Sequence, residues 1–190
     1  MLALKKKLEN EAQCLPNGII GMSSFLNHQV DAPLLKEVGE EFAKRFQAQN
    51  PTKILTAETS GLLPALSMAM VLGLPMIYAR KQRPVTMVQE PYTAEAESHT
   101  KGGRVKLFVT PEFLGPGDRV VIVDDVLASA VTTLALVSIV KQSGAALVGI
   151  GAVIEKRYEN GRQKLEPLKV QIESLASVIS IDDKRLVLAD

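Results

Sequence analysis

The sequence Arg119-Val-Val-Ile-Val-Asp-Asp-Val-Leu-Ala-Ser-Ala-Val-Thr-Thr133 joins an unbroken apolar run to two acids and then to small and hydroxylated residues. Its apolar run, Val120 to Val123, is typical of a strand buried on both faces of a parallel sheet. Asp124 and Asp125 stand where that strand ends, and apolar spacing predicts a helix from Thr132 to Ser143. The stretch therefore predicts a strand, a loop and a helix of an α/β fold, with carboxylates at the carboxyl end of the strand.

Similar patterns flank this unit on both sides. Leu34, Val38, Phe42 and Phe46 recur at helical intervals behind Asp31, which suits the N-cap position. Strands that alternate with helices imply right-handed crossovers and an open, mostly parallel sheet flanked by helices. In such sheets ligands bind beyond the carboxyl ends of the strands. The predicted elements are helices over 2–11, 31–49, 61–73 and 132–143, and strands over 53–58, 76–80, 119–125 and 145–154.

The segment 82–108 differs in composition from its surroundings. It contains two prolines, two glycines and many polar residues, between the β-branched runs 85–88 and 105–109. This pattern predicts a two-stranded excursion with a mobile tip, and not a linker between domains. We therefore expect residues 1–190 to form one domain.

Composition narrows the class of protein. The 190 residues include 22 Lys and Arg against 21 Asp and Glu, so the net charge is +1 and provides no overall field for a nucleic acid or an anionic membrane. The longest apolar run, Leu62 to Leu74, is shorter than the roughly 20 residues that span a bilayer. The single cysteine, Cys14, cannot form an internal disulfide, and no signal-peptide pattern opens the chain. We expect a cytoplasmic protein with neither nucleic-acid nor membrane partners.

The loop after the acids has the chemistry of a phosphate site. Backbone N–H groups of 128–132, at a helix N-terminus, can surround a phosphate, and the hydroxyls of Ser129, Thr132 and Thr133 can add donors. The carboxylates can accept hydrogen bonds from ribose hydroxyls or steady a cation. Taken singly, these side chains could equally be helix caps; taken together, they favour a phosphorylated sugar.

The whole string resembles the signature of type I phosphoribosyltransferases, which bind 5-phosphoribosyl 1-diphosphate (PRPP). The resemblance implies that fold, with a small N-terminal and C-terminal hood and a flexible two-stranded lid. The third loop position is usually Gly and is Ala130 here; if it requires positive φ, Ala costs about 1 kcal/mol or more. Glu58-Thr-Ser-Gly61 resembles the family's diphosphate loop. Ala79-Arg-Lys81 resembles its basic pair, whose lysine reaches the diphosphate, in many members across a dimer interface.

The segments Ser24-Phe-Leu-Asn-His-Gln29 and Val153-Ile-Glu-Lys156 resemble the xanthine phosphoribosyltransferases of bacterial purine salvage. That resemblance runs from Leu4 to about Leu175 and implies that Ile20, Asn27 and Lys156 contact the purine. Xanthine carries oxygens at C2 and C6 and loses a proton near neutrality. An ammonium would favour the keto and partly anionic ring, and an amide can donate to an oxygen.

The resemblance implies a transferase that forms XMP and diphosphate from xanthine and PRPP. It also implies Mg²⁺ chelated mainly by the diphosphate and the ribose hydroxyls, without direct protein ligands, and a homodimer. Residues 1–35 and about 155–190 would contribute the base-binding hood. The expected residues are Asp124 and Asp125 for catalysis, Glu58, Ser60, Gly61, Lys81, Ala128, Ser129, Ala130, Val131 and Thr132 for PRPP, and Ile20, Asn27 and Lys156 for the purine.

Two other functions fit parts of the same pattern. A guanine or hypoxanthine phosphoribosyltransferase stays open, because guanine keeps the C6 oxygen and a flipped Asn27 could accept from its amino group. Adenine is disfavoured, since its C6 amino group would face the Lys156 ammonium. A non-catalytic PRPP-sensing regulator is also disfavoured, because we expect no DNA-binding domain before Ser24 and no dense basic face.

Overall fold

A computed structural model of the chain describes residues 1–97, 103–183 and 185–189. The β-branched and apolar runs become strands, and the segments with helical spacing become helices between caps. The helices are α1 Leu2–Glu11, α2 Ala32–Phe46, α3 Leu62–Leu72, α4 Val131–Ser143 and α5 Gly161–Leu165. The strands are β1 Gln13–Leu15, β2 Ile19–Gly21, β3 Lys53–Ala57, β4 Met76–Ala79, β5 Tyr92–Glu97, β6 Arg104–Val109, β7 Arg119–Leu127, β8 Ala146–Lys156, β9 Gln171–Asp182 and β10 Arg185–Leu188.

Six of these strands form the central sheet, in the order β10-β9-β8-β7-β3-β4. The pairs β3–β4, β3–β7, β7–β8 and β8–β9 are parallel, and β10 pairs antiparallel with β9. The predicted α/β fold with a mostly parallel sheet flanked by helices is therefore confirmed. None of the helices in the described ranges is long and apolar enough to cross a membrane.

Helix α2 packs against the sheet through aromatic side chains that occupy the space above two glycines. The rings of Phe42 and Phe46 are fully buried. A Cβ on Gly149 would lie 2.6 Å from Phe46, and one on Gly151 would lie 2.9 Å from Phe42. Strand β8 therefore needs glycine at both positions so that α2 can approach it closely. Asp31 caps this helix as predicted, because its carboxylate accepts from Leu34 N at 3.0 Å.

The excursion after β4 differs in one respect from the prediction. Its two strands are β5 and β6, which pair antiparallel from Tyr92↔Val109 to Glu97↔Arg104. The run 85–88, predicted to be one of them, is not a strand, and Val85 and Val88 are 101% and 89% exposed. A β-branched run without a partner strand gains nothing from strand propensity. The predicted mobile tip, which includes Lys101, lies outside the described residues.

The C-terminal segment extends the sheet beyond what the sequence indicated. Strand β9 runs parallel to β8 and β10 returns beside it, so Gln171–Asp182 and Arg185–Leu188 are part of the sheet. Of the segment expected to form the hood, residues 156, 158 and 159 reach the cavity described below.

Candidate active site

A cavity of about 650 Å³ lies beyond the carboxyl ends of β3, β7 and β8. We call it the central cavity. Its walls come from the β1–β2 hairpin, the loops after β3 and β7, the end of β8, and the excursion. It brings together most of the residues that the sequence singled out: Ile20, Asn27, Glu58, Ser60, Gly61, Lys81, Asp124, Asp125, Ala128, Thr132 and Lys156. Ser129, Ala130 and Val131 do not line it: Ser129 and Ala130 lead into α4, and Val131 is the first residue of that helix.

The two adjacent acids lie at the centre of this cavity. Asp125 N donates to Asp124 Oδ1 at 3.0 Å, so the first carboxylate is fixed by the backbone of the second. Burial, and then the neighbouring charge of Asp125, raise the pKa of Asp124 well above its usual value, although Lys81 opposes the shift. Burial also raises the pKa of Asp125, against hydrogen bonds from the Val126 backbone and the Ser60 side chain. Ionising both carboxyls here costs free energy, so the site favours a cation or hydroxyl donors beside the pair.

The loop after β3 touches this acid pair directly. A Cβ on Gly61 would lie 2.7 Å from Asp124 Oδ1 and 2.3 Å from Thr56 Oγ1, so a side chain there would displace the catalytic candidate. Glu58 belongs to the same loop but faces the next strand. Its Oε1 accepts from Arg80 Nε at 3.2 Å and its Oε2 accepts from Lys81 N at 2.9 Å. Glu58 thus fixes the backbone that carries Lys81, and Lys81 lines the cavity of its own chain.

The loop after β7, residues 128–132, is the candidate phosphate cradle and contains one residue in an unusual backbone conformation. Ala130 has φ 64° and ψ 13°, in the left-handed region, and is the N-cap of α4. The third position of the loop therefore has the positive φ that was considered from the sequence. An L-residue in this conformation is higher in energy than glycine. Thr132 lines the cavity, whereas Thr133 is 3% exposed and packs in the core, so it is not the donor that the sequence indicated.

Helix α5 supports that loop from behind. A Cβ on Gly161 would lie 2.0 Å from Ala128 O, so only glycine allows this approach. Lys164 Nζ donates to Ser129 O at 3.0 Å. The helix is itself anchored by Arg162, whose Nε and Nη2 each donate at 2.7 Å to the Glu155 carboxylate.

This anchor is an ion pair whose carboxylate is buried and hydrogen-bonded, while the Arg162 side chain is 34% exposed. Glu155 is 2% exposed, and its Oε2 also accepts from Ser174 Oγ at 2.7 Å. Arg162 Nη1 donates to Ile172 O at 3.0 Å. Hydrogen bonds and charge from Arg162 and Ser174 outweigh burial and lower the pKa of Glu155. The pair fixes α5 to β9 and so fixes the position of the loop after β7.

The opposite end of the cavity contains the three residues expected to contact a purine. Ile20 is buried in β2, and Asn27 is exposed at the end of the turn Ser23–Asn27. Lys156 ends β8 with a side chain 12% exposed, and its Nζ donates to Gly18 O at 2.9 Å. These side chains provide an apolar surface, an amide and an ammonium around a space open to the acid pair.

Sequence reasoning missed several residues at this end. Tyr158 and Glu159 follow Lys156 directly and line the cavity, and Tyr158 OH lies 3.4 Å from Gly18 O. Their position next to Lys156 was the available signal. Burial, and then the nearby Glu159, raise the pKa of the Tyr158 phenol. Apolar residues of the excursion complete the wall: Ala96, Val105 and Leu107.

The side chains around the cavity can be compared with the ligands that Mg²⁺ prefers. Within the described ranges, no group of three or more His, Cys, Asp or Glu side chains is arranged to hold a metal ion. Mg²⁺ retains several waters and is commonly bound by one or two carboxylates together with substrate phosphates. The Asp124–Asp125 pair beside an open cavity fits an ion that arrives with a diphosphate.

Comparison with known proteins agrees with this geometry. Residues 27–188 match the model of the phosphoribosyl transferase domain. Xanthine phosphoribosyltransferase of Deinococcus deserti is 48% identical over 183 residues, which cover 96% of this chain and 95% of that protein. The enzyme of the same name from Geobacillus thermodenitrificans is 44% identical, covering 96% and 94%. The chain therefore belongs to the phosphoribosyltransferase family, in the branch of the xanthine phosphoribosyltransferases.

Solved structures support the fold. Adenine phosphoribosyltransferase of Thermoanaerobacter pseudethanolicus superposes with a TM-score of 0.75 at 27% identity, covering 93% of this chain and 99% of that one. Adenine phosphoribosyltransferase of Rhodothermus marinus gives 0.76 at 23% identity, covering 94% and 100%. The type I phosphoribosyltransferase fold expected from the resemblance is confirmed.

Proposed function

We propose that this protein transfers the 5-phosphoribosyl group of PRPP to a ring nitrogen of xanthine, forming XMP and diphosphate in purine salvage. One observation carries the proposal: a single cavity joins the acid pair and the cradle after β7 to an end that presents Ile20, Asn27 and Lys156. The two named relatives, at 48% and 44% identity over nearly the whole chain, support the same reaction.

The acid pair suits the sugar at the middle of the cavity. Breaking the bond from ribose to diphosphate leaves positive charge on the ribose ring. Asp124 and Asp125 accept hydrogen bonds from the ribose hydroxyls and stabilise that charge. A cationic centre that forms beside them offsets their mutual repulsion.

The phosphate groups bind at helix and loop backbones. The 5′-phosphate occupies the cradle 128–132 at the N-terminus of α4, where N–H groups converge. The diphosphate lies against Ser60, Gly61 and Lys81. When bound with it, Mg²⁺ neutralises charge on the leaving group, and the protein supplies at most the acid pair as ligands.

The excursion acts as a lid over this site. Water would capture the ribosyl cation, so the site must exclude it during the reaction. Ala96, Val105 and Leu107 give the inner face of β5 and β6 an apolar surface toward the cavity, which supports this role.

We also propose a cytoplasmic homodimer of single-domain subunits. Support comes from an apolar surface beside the edge strand β4, where Tyr78, Val85, Val88 and Phe113 are exposed. Tyr78, Val88 and Phe113 line one concave surface, and an exposed apolar surface of this kind favours burial against another subunit. The molecular mass by sedimentation equilibrium tests this, and a monomeric mass at working concentration contradicts it.

The base is selected by Lys156 and Asn27. Lys156 donates a charge-assisted hydrogen bond to a base oxygen, and a base with an amino group there would leave two donors unpaired. Lys156→Ala should therefore weaken xanthine use by about 2–3 kcal/mol in transition-state binding, with far less effect on PRPP. Asn27→Ala should reduce the preference for xanthine over guanine, since these bases differ at C2.

The test offers xanthine, guanine, hypoxanthine and adenine separately with PRPP and Mg²⁺, and measures kcat/KM for the parent and both variants. We expect xanthine to be the best substrate and the two variants to change the ratios. A parent that prefers guanine or hypoxanthine contradicts the proposed base, and unchanged ratios in both variants contradict the assignment of these residues. A protein that binds PRPP and transforms no base would be a sensor.

A further inference from the structure

The Lys156 ammonium has a carboxylate partner inside the central cavity. Its Nζ lies 3.1 Å from Glu159 Oε1 and 2.9 Å from Gly18 O. The Lys156 side chain is 12% exposed and that of Glu159 is 28% exposed, so this pair is partly screened from water. Both residues line the cavity. Two of the three N–H groups of the Lys156 ammonium therefore already donate, to Glu159 and Gly18. One N–H is left to donate to a base.

This pairing changes the charge that a base meets. The sequence alone indicated an isolated ammonium that favours a partly anionic purine. In the structure, Lys156 and Glu159 together are neutral, and a carboxylate stands beside the ammonium. An anionic base would gain little from the paired lysine and would be repelled by Glu159 at short range, where partial burial strengthens charge interactions.

We propose that Glu159 is a specificity-determining residue that makes the base subsite select neutral xanthine over the xanthine monoanion. The inference rests on the proposed function, because it concerns how that site discriminates two ionisation states of its substrate. Lys156 still donates to a keto oxygen, which both states present, so the discrimination comes from Glu159.

The effects of other ionisable groups that face this part of the cavity must be distinguished from the effect of Glu159 on the pH profile. These groups are Tyr158 beside Glu159, Cys14 on the facing hairpin, and Glu58, Lys81, Asp124 and Asp125 across the space. Burial, and then the nearby Glu159, raise the pKa of Tyr158, which favours the neutral phenol. Hypoxanthine stays largely neutral between pH 6 and 8.5, where xanthine ionises. Titration of any protein group therefore affects both bases, and the ratio of their rates isolates the ionisation of xanthine.

The experiment measures kcat/KM for xanthine and for hypoxanthine from pH 6 to 8.5, at saturating PRPP and Mg²⁺. The proteins are the parent, Glu159→Gln and Glu9→Gln, a control with the same charge change on the exposed face of α1. In the parent and the control we expect the xanthine/hypoxanthine ratio to fall as xanthine ionises. In Glu159→Gln the fall should disappear, leaving the ratio at pH 8.5 on the order of tenfold above the parent.

Three outcomes would overturn the inference. A Glu159→Gln profile that parallels the parent shows that the carboxylate does not sense the charge of xanthine. A loss of xanthine use that is equal at every pH shows that Glu159 only positions Lys156. A ratio in the parent that does not fall with pH shows that there is no selection to explain. Failure of the proposed function looks different, since the parent would then form no XMP from xanthine at any pH.

Discussion

Ala130 places a left-handed backbone at the start of α4, with φ 64° and ψ 13°. An L-residue in this conformation costs about 1–2 kcal/mol relative to glycine. Ala130→Gly should therefore raise the free energy of unfolding, by about 0.5–1 kcal/mol after the greater freedom of glycine in the unfolded chain is subtracted. Urea unfolding measures the change, and titration with PRPP and Mg²⁺ should show equal or tighter binding.

Ala128→Gly is the matched control for this residue. Ala128 lies in the same loop but has no positive φ, so glycine there should lower stability by about 0.5–1 kcal/mol. If Ala130→Gly destabilises the protein as much as Ala128→Gly, the left-handed conformation carries no cost. A large loss of PRPP affinity in Ala130→Gly would show that the methyl group itself is required.

At the level of elements, the short helix α5 fixes the loop after β7, the proposed phosphate site. Because a Cβ on Gly161 would lie 2.0 Å from Ala128 O, Gly161→Ala must displace either the helix or the loop. We expect about a tenfold weaker Kd for PRPP, since misplacing several N–H donors costs about one hydrogen bond to a charged group. The KM for xanthine should change much less, because the base end is formed by other elements.

Gly115→Ala provides the control for a glycine substitution in a loop. A Cβ there would meet no atom within 4 Å, and the residue has no positive φ. Its PRPP affinity should match that of the parent. If Gly161→Ala binds PRPP as the parent does, α5 does not position the loop after β7. If only the KM for xanthine changes, α5 acts on the base end of the cavity and not on the proposed phosphate site.

The stability of the whole molecule should depend on the acid pair. The pKa of Asp124 is raised in the folded state, so the folded protein binds more protons than the unfolded chain, and this carboxylate lowers stability as pH rises through its folded pKa. Asp124→Asn keeps the oxygen that accepts from Asp125 N and removes the charge. At pH 8 and without substrate it should raise the free energy of unfolding by about 1 kcal/mol or more, while turnover falls by orders of magnitude.

The gain should shrink on acidification and vanish only near pH 4, about the ordinary pKa of Asp, below which the carboxyl is protonated in the folded and the unfolded state alike. Thermal unfolding at pH 5 and pH 8 checks this sign. Asp125→Asn should stabilise less, because hydrogen bonds from Ser60 and the Val126 backbone already favour that charge. If Asp124→Asn were less stable than the parent at pH 8, the proposed destabilisation by the buried charge of Asp124 would be wrong.

Local signals in the sequence predicted the part of the fold that carries the chemistry. The apolar run of β7 can only be buried, and Asp31 caps α2 through a contact three residues away, so both were visible without tertiary information. The acids, the loop and Lys156 fall in one cavity because parallel strands end at the same edge.

Features that depend on distant partners were not predictable in this way. Strand β5, Tyr-Thr-Ala-Glu-Ala-Glu, has weaker strand propensity than the run 85–88 and is a strand because β6 pairs with it. Glu159 looks like any exposed acid until the fold brings Gly18 and Lys156 together. The need for glycine at 161 arises from a carbonyl more than thirty positions earlier in the chain.

Glu155 and Lys156 are neighbours on β8, and strand geometry turns their side chains to opposite faces. Glu155 holds Arg162 of α5, which supports the loop after β7, and Lys156 lines the end of the cavity proposed to take the base. The short turn after them, 157–160, can therefore exchange residues over evolution while the Glu155–Arg162 anchor stays in place. Substitutions at the few positions of this turn can therefore change the preferred nucleobase. The proposed binding of PRPP would be kept throughout.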